Sequence, residues 1–105
     1  SLDDFTPIGP WIVTKDEFKN PPALPIRSYV NGELRQDSNT ELMINGIEKV
    51  ICELTQGMTL QAGTIIAMGT PAGVGMGFEP PRFLNSGDVV TCEIEGIGTM
   101  TNKIK

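Results

Sequence analysis

Glycine and proline fill 20 of the 105 residues, 12 and 8 respectively, and break the chain into short pieces. Proline fixes φ and removes a backbone donor, whereas glycine opens the positive-φ region. Five of the prolines fall in residues 1–25, in TPIGPW and NPPALP. An irregular, surface-wrapping segment is expected there, with Trp11-Ile12-Val13 as a short apolar anchor. IRSYVNGELRQ (26–36) follows and predicts a β-hairpin. Asn31-Gly32 is its turn, because both residues tolerate positive φ. A two-residue turn sets Val30 against Glu33, Tyr29 against Leu34 and Ser28 against Arg35.

Only SNTELMINGIEKVICELTQG (38–57) has helical periodicity. Ser38 and Glu41 fit a capping box, each satisfying a free N–H at the other's position. Met43, Ile47, Val50, Ile51 and Leu54 fall on one apolar stripe with Cys52 beside it. Gly57 is expected just past the helix end. Gly46 lies inside, where close packing against that face is expected. GTIIAMG (63–69) predicts a buried strand, and NSGD (85–88) a turn. VVTCEIEGIGTMTNKIK (89–105) predicts a second hairpin around Gly96–Gly98. That register sets Ile94 against Met100, Val90 against Ile104, and Glu95, Glu93 and Thr91 against Thr99, Thr101 and Lys103. Val90, Cys92 and Ile94 then point inward and the glutamates outward. The expected class is mainly β with one α-helix, a thin structure that is expected to continue into something larger at its ends.

The net charge is −5 and the pI about 4.5, with no basic stripe, so nucleic acid and anionic membranes are poor partners. No apolar run approaches a membrane span and no leader is visible. The chain begins at Ser1 without Met, so preceding residues are expected. Cys52 and Cys92 have neither metal-site nor disulfide-framework spacing. They are expected to be buried free thiols in a reducing, cytoplasmic setting. The chain contains no histidine, which removes Ser-His-Asp and Cys-His catalysis from its own residues.

GTPAGVGMG (69–77) invites a phosphate reading, but neither spacing fits. No Lys-Ser or Lys-Thr completes a P-loop, and Pro80-Pro81 bars the helix that a dinucleotide loop needs. Thr70 is the more promising residue. Pro71 pushes it to extended geometry, so its hydroxyl and the neighbouring N–H groups form a small receptor for a carboxylate or oxyanion. Gly73, Gly75 and Gly77 would let the loop close over the bound group. The bland alternative is an ordinary turn threonine. Glu93 and Glu95 share a strand face and could begin a cation site, but a solvated face balanced by Lys103 is the better reading. Asp3 and Asp4 diverge in an extended chain and do not share a metal.

SLDDFTPIGPWIV, VNGELRQDSNTELMI and LTQGMTLQAGTIIAMGTPAGVGMGFEPPRFLNSGDVVTCEIEGIGTMTN resemble the C-terminal part of the fumarylacetoacetate hydrolase family. The motifs that carry the likeness are GTPAGVG after a strand, the NG…RQ…NT segment and the terminal GDVV…EIEGIGT. The resemblance spans residues 1–105 and implies a catalytic domain truncated at its N-terminal side, a mixed β-roll and a homodimer. It implies Mg²⁺, sometimes Mn²⁺ or Ca²⁺, in the whole enzyme, on ligands upstream of this segment. It also implies small 2-oxo or 2-hydroxy-dienoic acid substrates from aromatic catabolism. The closest likeness is to the 5-carboxymethyl-2-hydroxymuconate and 2-hydroxyhepta-2,4-diene-1,7-dioate isomerases. Acylpyruvate or fumarylpyruvate hydrolysis and oxaloacetate decarboxylation are the near alternatives.

The family's lysine falls one residue before Ser1, and its metal carboxylates and histidine–glutamate pair lie further upstream. No residue here takes a catalytic or metal-ligating role. Gly69 and Thr70 are the expected substrate-binding residues, since the family counterpart of Thr70 contacts the substrate carboxylate. Asp4 stands where some members place a threonine, and Met68 replaces a common Thr or Ser. A different class of reading is a non-catalytic core that only packs or dimerises, and the isolated chain is expected to self-associate.

Overall fold

A computed structural model of the chain describes residues 4–19 and 21–105; Ser1 and Asp3 lie outside the described residues. Four antiparallel strands form one sheet in the order β2-β1-β3-β4: β1 Pro25–Val30, β2 Glu33–Asn39, β3 Val89–Ile94 and β4 Gly98–Lys103. Among the described residues one α-helix, α1 Ile47–Gly57, completes the regular structure apart from three short 3₁₀ turns. The class is mainly β with one helix, as expected.

The first hairpin turns on Asn31 (φ 51°) and Gly32 (φ 80°), the backbone its sequence demands. Val30 opposes Glu33 and Tyr29 opposes Leu34. Beyond that pair the register shifts at a bulge, so Ser28 meets Gln36 rather than Arg35. The bulge sets two residues of β2 against one of β1 and re-aims the side chains that follow. Asn31 also ties the turn to β3: its N–H donates to the Val89 carbonyl (2.8 Å), and its amide oxygen accepts from the Val89 N–H (2.9 Å).

The second hairpin is displaced by two residues from the expected register. Cys92, not Ile94, opposes Met100, and Thr91 opposes Thr101. The loop is Glu95-Gly96-Ile97, closed by Ile97 N–H donating to the Ile94 carbonyl (3.0 Å). A two-residue slip preserves the faces. One face carries Ile26, Ser28, Val30, Val90, Cys92, Ile94 and Met100. The other carries Arg27 between Asp37 and Glu93, with Arg27 Nε 3.2 Å from Asp37 and Nη1 3.2 Å from Glu93. Glu93 therefore pairs with Arg27 and not with Lys103.

The helix is shorter than its periodicity predicts. Ser38 is no cap; it lies in β2 opposite Ile26. The ladder runs on past it, with Thr40 N–H donating to the Leu24 carbonyl and Leu24 N–H to Thr40 Oγ1 (both 2.9 Å). Asn39 supplies the cap instead, accepting from Glu41 N–H (3.0 Å) for a single 3₁₀ turn, Thr40–Leu42. The α-helix starts only after Gly46, and nothing approaches within 4 Å of a Cβ built there. Gly57 is the last helical residue, with Met58 N–H donating to the Leu54 carbonyl. Ile47, Val50 and Leu54 are half-buried, while Ile51 is 42 % exposed and Cys52 is exposed.

Two further expectations fail. Residues 64–68 form no strand, and Ile65 is 73 % exposed, because they are paired with neither edge of the sheet. Cys92 is exposed rather than buried. It faces an open groove, and among the described residues no hydrophobic side chain is fully buried. The Trp11 ring edge lies 3.1 Å from where a Cβ on Gly98 would stand, but Trp11 is 63 % exposed and Ile12 89 %; only Val13 of the expected anchor is half-buried.

Candidate functional site

The glycine-rich loop is docked by its own glycines. Gly73 has φ 106°, and a Cβ there would collide with the Arg35 carbonyl and stand 2.9 Å from Gln36 Cγ. A Cβ on Gly75 would collide with the Arg82 carbonyl, since Arg82 N–H donates to the Gly75 carbonyl at 2.8 Å. These two glycines therefore permit close backbone approach within the chain, rather than closure over a ligand. Of the glycines in residues 69–77, only Gly69 (φ 98°) has nothing within 4 Å of where a Cβ would stand.

Gln36 joins the loop to the sheet. Ser28 Oγ donates to its Oε1 (2.8 Å), and its Nε2 donates to Thr70 Oγ1 (2.8 Å) and to the Pro71 carbonyl (3.0 Å). Thr70 is exposed, and so is Gly69 beside it. Ser28, Gln36, Gly73, Val74, Val90 and Cys92 line part of an open groove of about 490 Å³ between loop and sheet.

Arg35 and Arg82, which also line that groove, belong to a charged cluster. Arg82 grips Glu33 through both oxygens (2.8 and 3.0 Å). That contact, helped by Arg35 and Arg82 as positive neighbours, holds the Glu33 carboxyl below its ordinary pKa. Arg35 Nε lies 3.2 Å from the same carboxylate but off the line of a hydrogen bond, and makes none. Both guanidinium carbons stand over the Phe78 ring, at 5.3 Å for Arg35 and 5.2 Å for Arg82. Asp88 accepts from Asn85 N–H and from the Asn31 amide (both 2.8 Å), which depresses its pKa.

The acidic candidates are dispersed. Glu93 is held by Arg27, Glu95 is exposed, and Asp4 pairs with Lys105 at 2.6 Å. Among the described residues no three His, Cys, Asp or Glu side chains cluster. These residues do not by themselves fit a divalent cation, which needs several oxygen ligands around one point. Gln36, Ser28 and the Glu33–Arg82 tether carried no role in the sequence reading. The signal for Gln36 was its place in NG…RQ…NT, but the regular hairpin register put Arg35 where Gln36 stands.

Sequence comparison decides the family. The profile described as fumarylacetoacetate (FAA) hydrolase C-terminal matches residues 1–105. The chain belongs to the fumarylacetoacetate hydrolase family. It is 50 % identical over 104 residues to an oxaloacetate tautomerase of Bacillus subtilis (strain 168), covering 99 % of this chain and 35 % of that protein. The chain thus spans about a third of the curated relatives it matches. The fold is that of a solved fumarylacetoacetate hydrolase from Exiguobacterium antarcticum, with TM-score 0.95 and 50 % identity over 100 % of this chain and 38 % of that one. A 5-carboxymethyl-2-hydroxymuconate delta-isomerase from Mycobacterium smegmatis matches at TM-score 0.77 and 41 % identity over 91 % of this chain and 34 % of its own. A maleylpyruvate hydrolase from Sphingobium sp. SYK-6, solved with manganese(II) and pyruvate, matches at TM-score 0.80 and 38 % identity over the same 91 % and 34 %. The fumarylacetoacetate hydrolase family thus includes isomerases, hydrolases and a tautomerase. Among the described residues no helix is long and apolar enough to cross a membrane.

Proposed function

We propose that this chain is the C-terminal, carboxylate-binding part of a longer enzyme that interconverts keto and enol forms of small 2-oxo acids. The substrates include 2-hydroxy-dienoic acids of aromatic catabolism. The observation that carries the reading is Thr70: an exposed hydroxyl pinned by Gln36, on a loop docked to the sheet, beside a glycine with open space around it. A pinned, exposed hydroxyl beside an exposed glycine suits one carboxylate oxygen. The similarity to a tautomerase at 50 % identity supports enolisation as the reaction.

Keto–enol exchange moves one proton between C3 and the 2-oxygen. Thr70 and Gly69 would hold the substrate carboxylate while groups outside this chain move that proton. The whole enzyme would take Mg²⁺, or Mn²⁺ or Ca²⁺, on ligands that these residues do not supply. It would work as a cytoplasmic homodimer. C–C hydrolysis of an acylpyruvate is the second reading, favoured by the similarity to a hydrolase that holds pyruvate. A core that only packs or dimerises is the third. The full-length enzyme, assayed with Mn²⁺ for ketonisation of enol-oxaloacetate and for acylpyruvate cleavage, separates them. Ketonisation above the rate of buffer plus metal supports the first reading, and cleavage alone the second. Inactivity on both, together with no metal binding by calorimetry, would leave the packing reading.

A further inference from the structure

We propose that Gln36 is a positioning residue that sets the direction of the Thr70 hydroxyl proton. The inference rests on the reading of Thr70 as a carboxylate donor and says how the donor is prepared. The carbonyl of Pro71 can only accept, so the group 3.0 Å from it must be the Gln36 NH₂. That fixes the amide against rotation by half a turn, and the Ser28 hydroxyl at 2.8 Å then donates to Oε1. The two amide hydrogens are shared between the Pro71 carbonyl and Thr70 Oγ1, the latter at 2.8 Å. Thr70 oxygen is therefore an acceptor toward the sheet. Its own proton cannot point at Gln36, because an NH₂ group accepts nothing. The exposed side is left for that proton, where it can meet only an acceptor. A free hydroxyl could rotate to receive or donate; this one is biased to donate, as recognition of a carboxylate requires.

The bulge of β2 is what makes this possible. Between Ser28/Tyr29 and their partners the register shifts, and Gln36 instead of Arg35 comes opposite Ser28. Gly73 lies against Gln36 Cγ, so the amide is backed by the loop it holds. A regular ladder would put a guanidinium at this place, which cannot accept from Ser28.

The test uses the full-length enzyme with Mn²⁺, and pyruvate as the probe, its affinity read by calorimetry. Gln36→Glu keeps the shape but has no N–H; its carboxylate accepts the Thr70 proton and withdraws it from the ligand. Expected is a roughly tenfold or larger loss of pyruvate affinity, the scale of one charge-assisted hydrogen bond. In a Thr70→Val background the same change should cost several-fold less, because the hydroxyl is already gone and only the lost Pro71 contact and the added negative charge, which act in both backgrounds, remain. With oxaloacetate as substrate, KM should rise in step with the affinity loss. Equal losses in both backgrounds would mean that Gln36 only holds the loop, and would overturn the proposal. A weakened Thr70→Val enzyme beside an unaffected Gln36→Glu enzyme would also overturn it and leave the Thr70 reading standing. Unchanged affinity in Thr70→Val would overturn both. Should Gln36→Glu fail to fold, Ser28→Ala is the substitute. It removes one of the two contacts that orient the amide, leaving the Pro71 carbonyl, and should lower affinity a few-fold, again chiefly where Thr70 is present; the same loss without Thr70 would overturn the proposal.

Discussion

Helix α1 is regular but lightly anchored, whereas the irregular loop after it is tied to the sheet by specific contacts. Helix α1, Ile47–Gly57, carries its own i to i−4 ladder from Val50 N–H on the Gly46 carbonyl to Met58 N–H on the Leu54 carbonyl. Its apolar stripe is only half-covered, with Ile51 42 % exposed. The loop from Gly69 to Leu84 has one 3₁₀ turn, Gly75–Gly77, and otherwise no internal ladder. Beyond its own Arg82–Gly75 backbone bond, it is held to the sheet by Gln36 on the Pro71 carbonyl, by the Arg82 side chain on Glu33 and by the close approach of Gly73 to Arg35. A helix can therefore form with little tertiary contact, whereas the position of this loop depends on a few contacts that single changes can remove.

The contrast is tested most severely at Gly73. Gly73→Ala in the full-length enzyme should destabilise the docked loop by roughly 3 kcal/mol, through positive φ and collision with the Arg35 carbonyl. Thermal or denaturant melting together with pyruvate binding checks this; a change under about 1 kcal/mol would mean the loop is not docked there. Ile51→Ala should cost only about 1 kcal/mol, because the side chain is already partly in water. A loss above about 3 kcal/mol would show the helix stripe to be fully packed in the whole enzyme.

Acid should loosen the loop before the helix. The folded-state pKa of Glu33 is depressed by its hydrogen bond from Arg82, and that of Asp88 by the Asn85 N–H and then the Asn31 amide. A depressed carboxylate stabilises the fold above its unfolded pKa, and that contribution is lost as pH falls through the folded value. Protection of the Arg82 and Asn85 amides from hydrogen exchange should thus fall below about pH 4. Equal behaviour of the α1 amides would erase the distinction. Ser38→Ala should be the mildest change, within about 0.5 kcal/mol, since Ser38 lies in β2 and caps nothing.

The sequence was most legible where one local signal dominates. Asn31-Gly32 specifies its turn by φ alone, and the turn is there. The second hairpin was misread by two residues because Gly96 and Gly98 both accept positive φ, and either register keeps the same faces. Ser38-x-x-Glu41 reads as a cap, but the ladder with β1 outcompetes it, a long-range effect that no local pattern carries. The strand expected over 63–69 and the burial of Cys52 and Cys92 depend on what lies against them, which the periodicity of one chain does not show. Thr70 was picked out from its flanking Gly69 and Pro71. Gln36 was not, because its place follows from the bulge and not from spacing.

The central claim is that Thr70 holds the carboxylate of a 2-oxo acid. Thr70→Val keeps the shape and removes only the hydroxyl, so kcat/KM of the full-length enzyme for oxaloacetate ketonisation measures it directly. The expected loss is about 1.5–3 kcal/mol of transition-state stabilisation, with the melting temperature nearly unchanged. An unaltered kcat/KM in a folded variant would contradict the assignment.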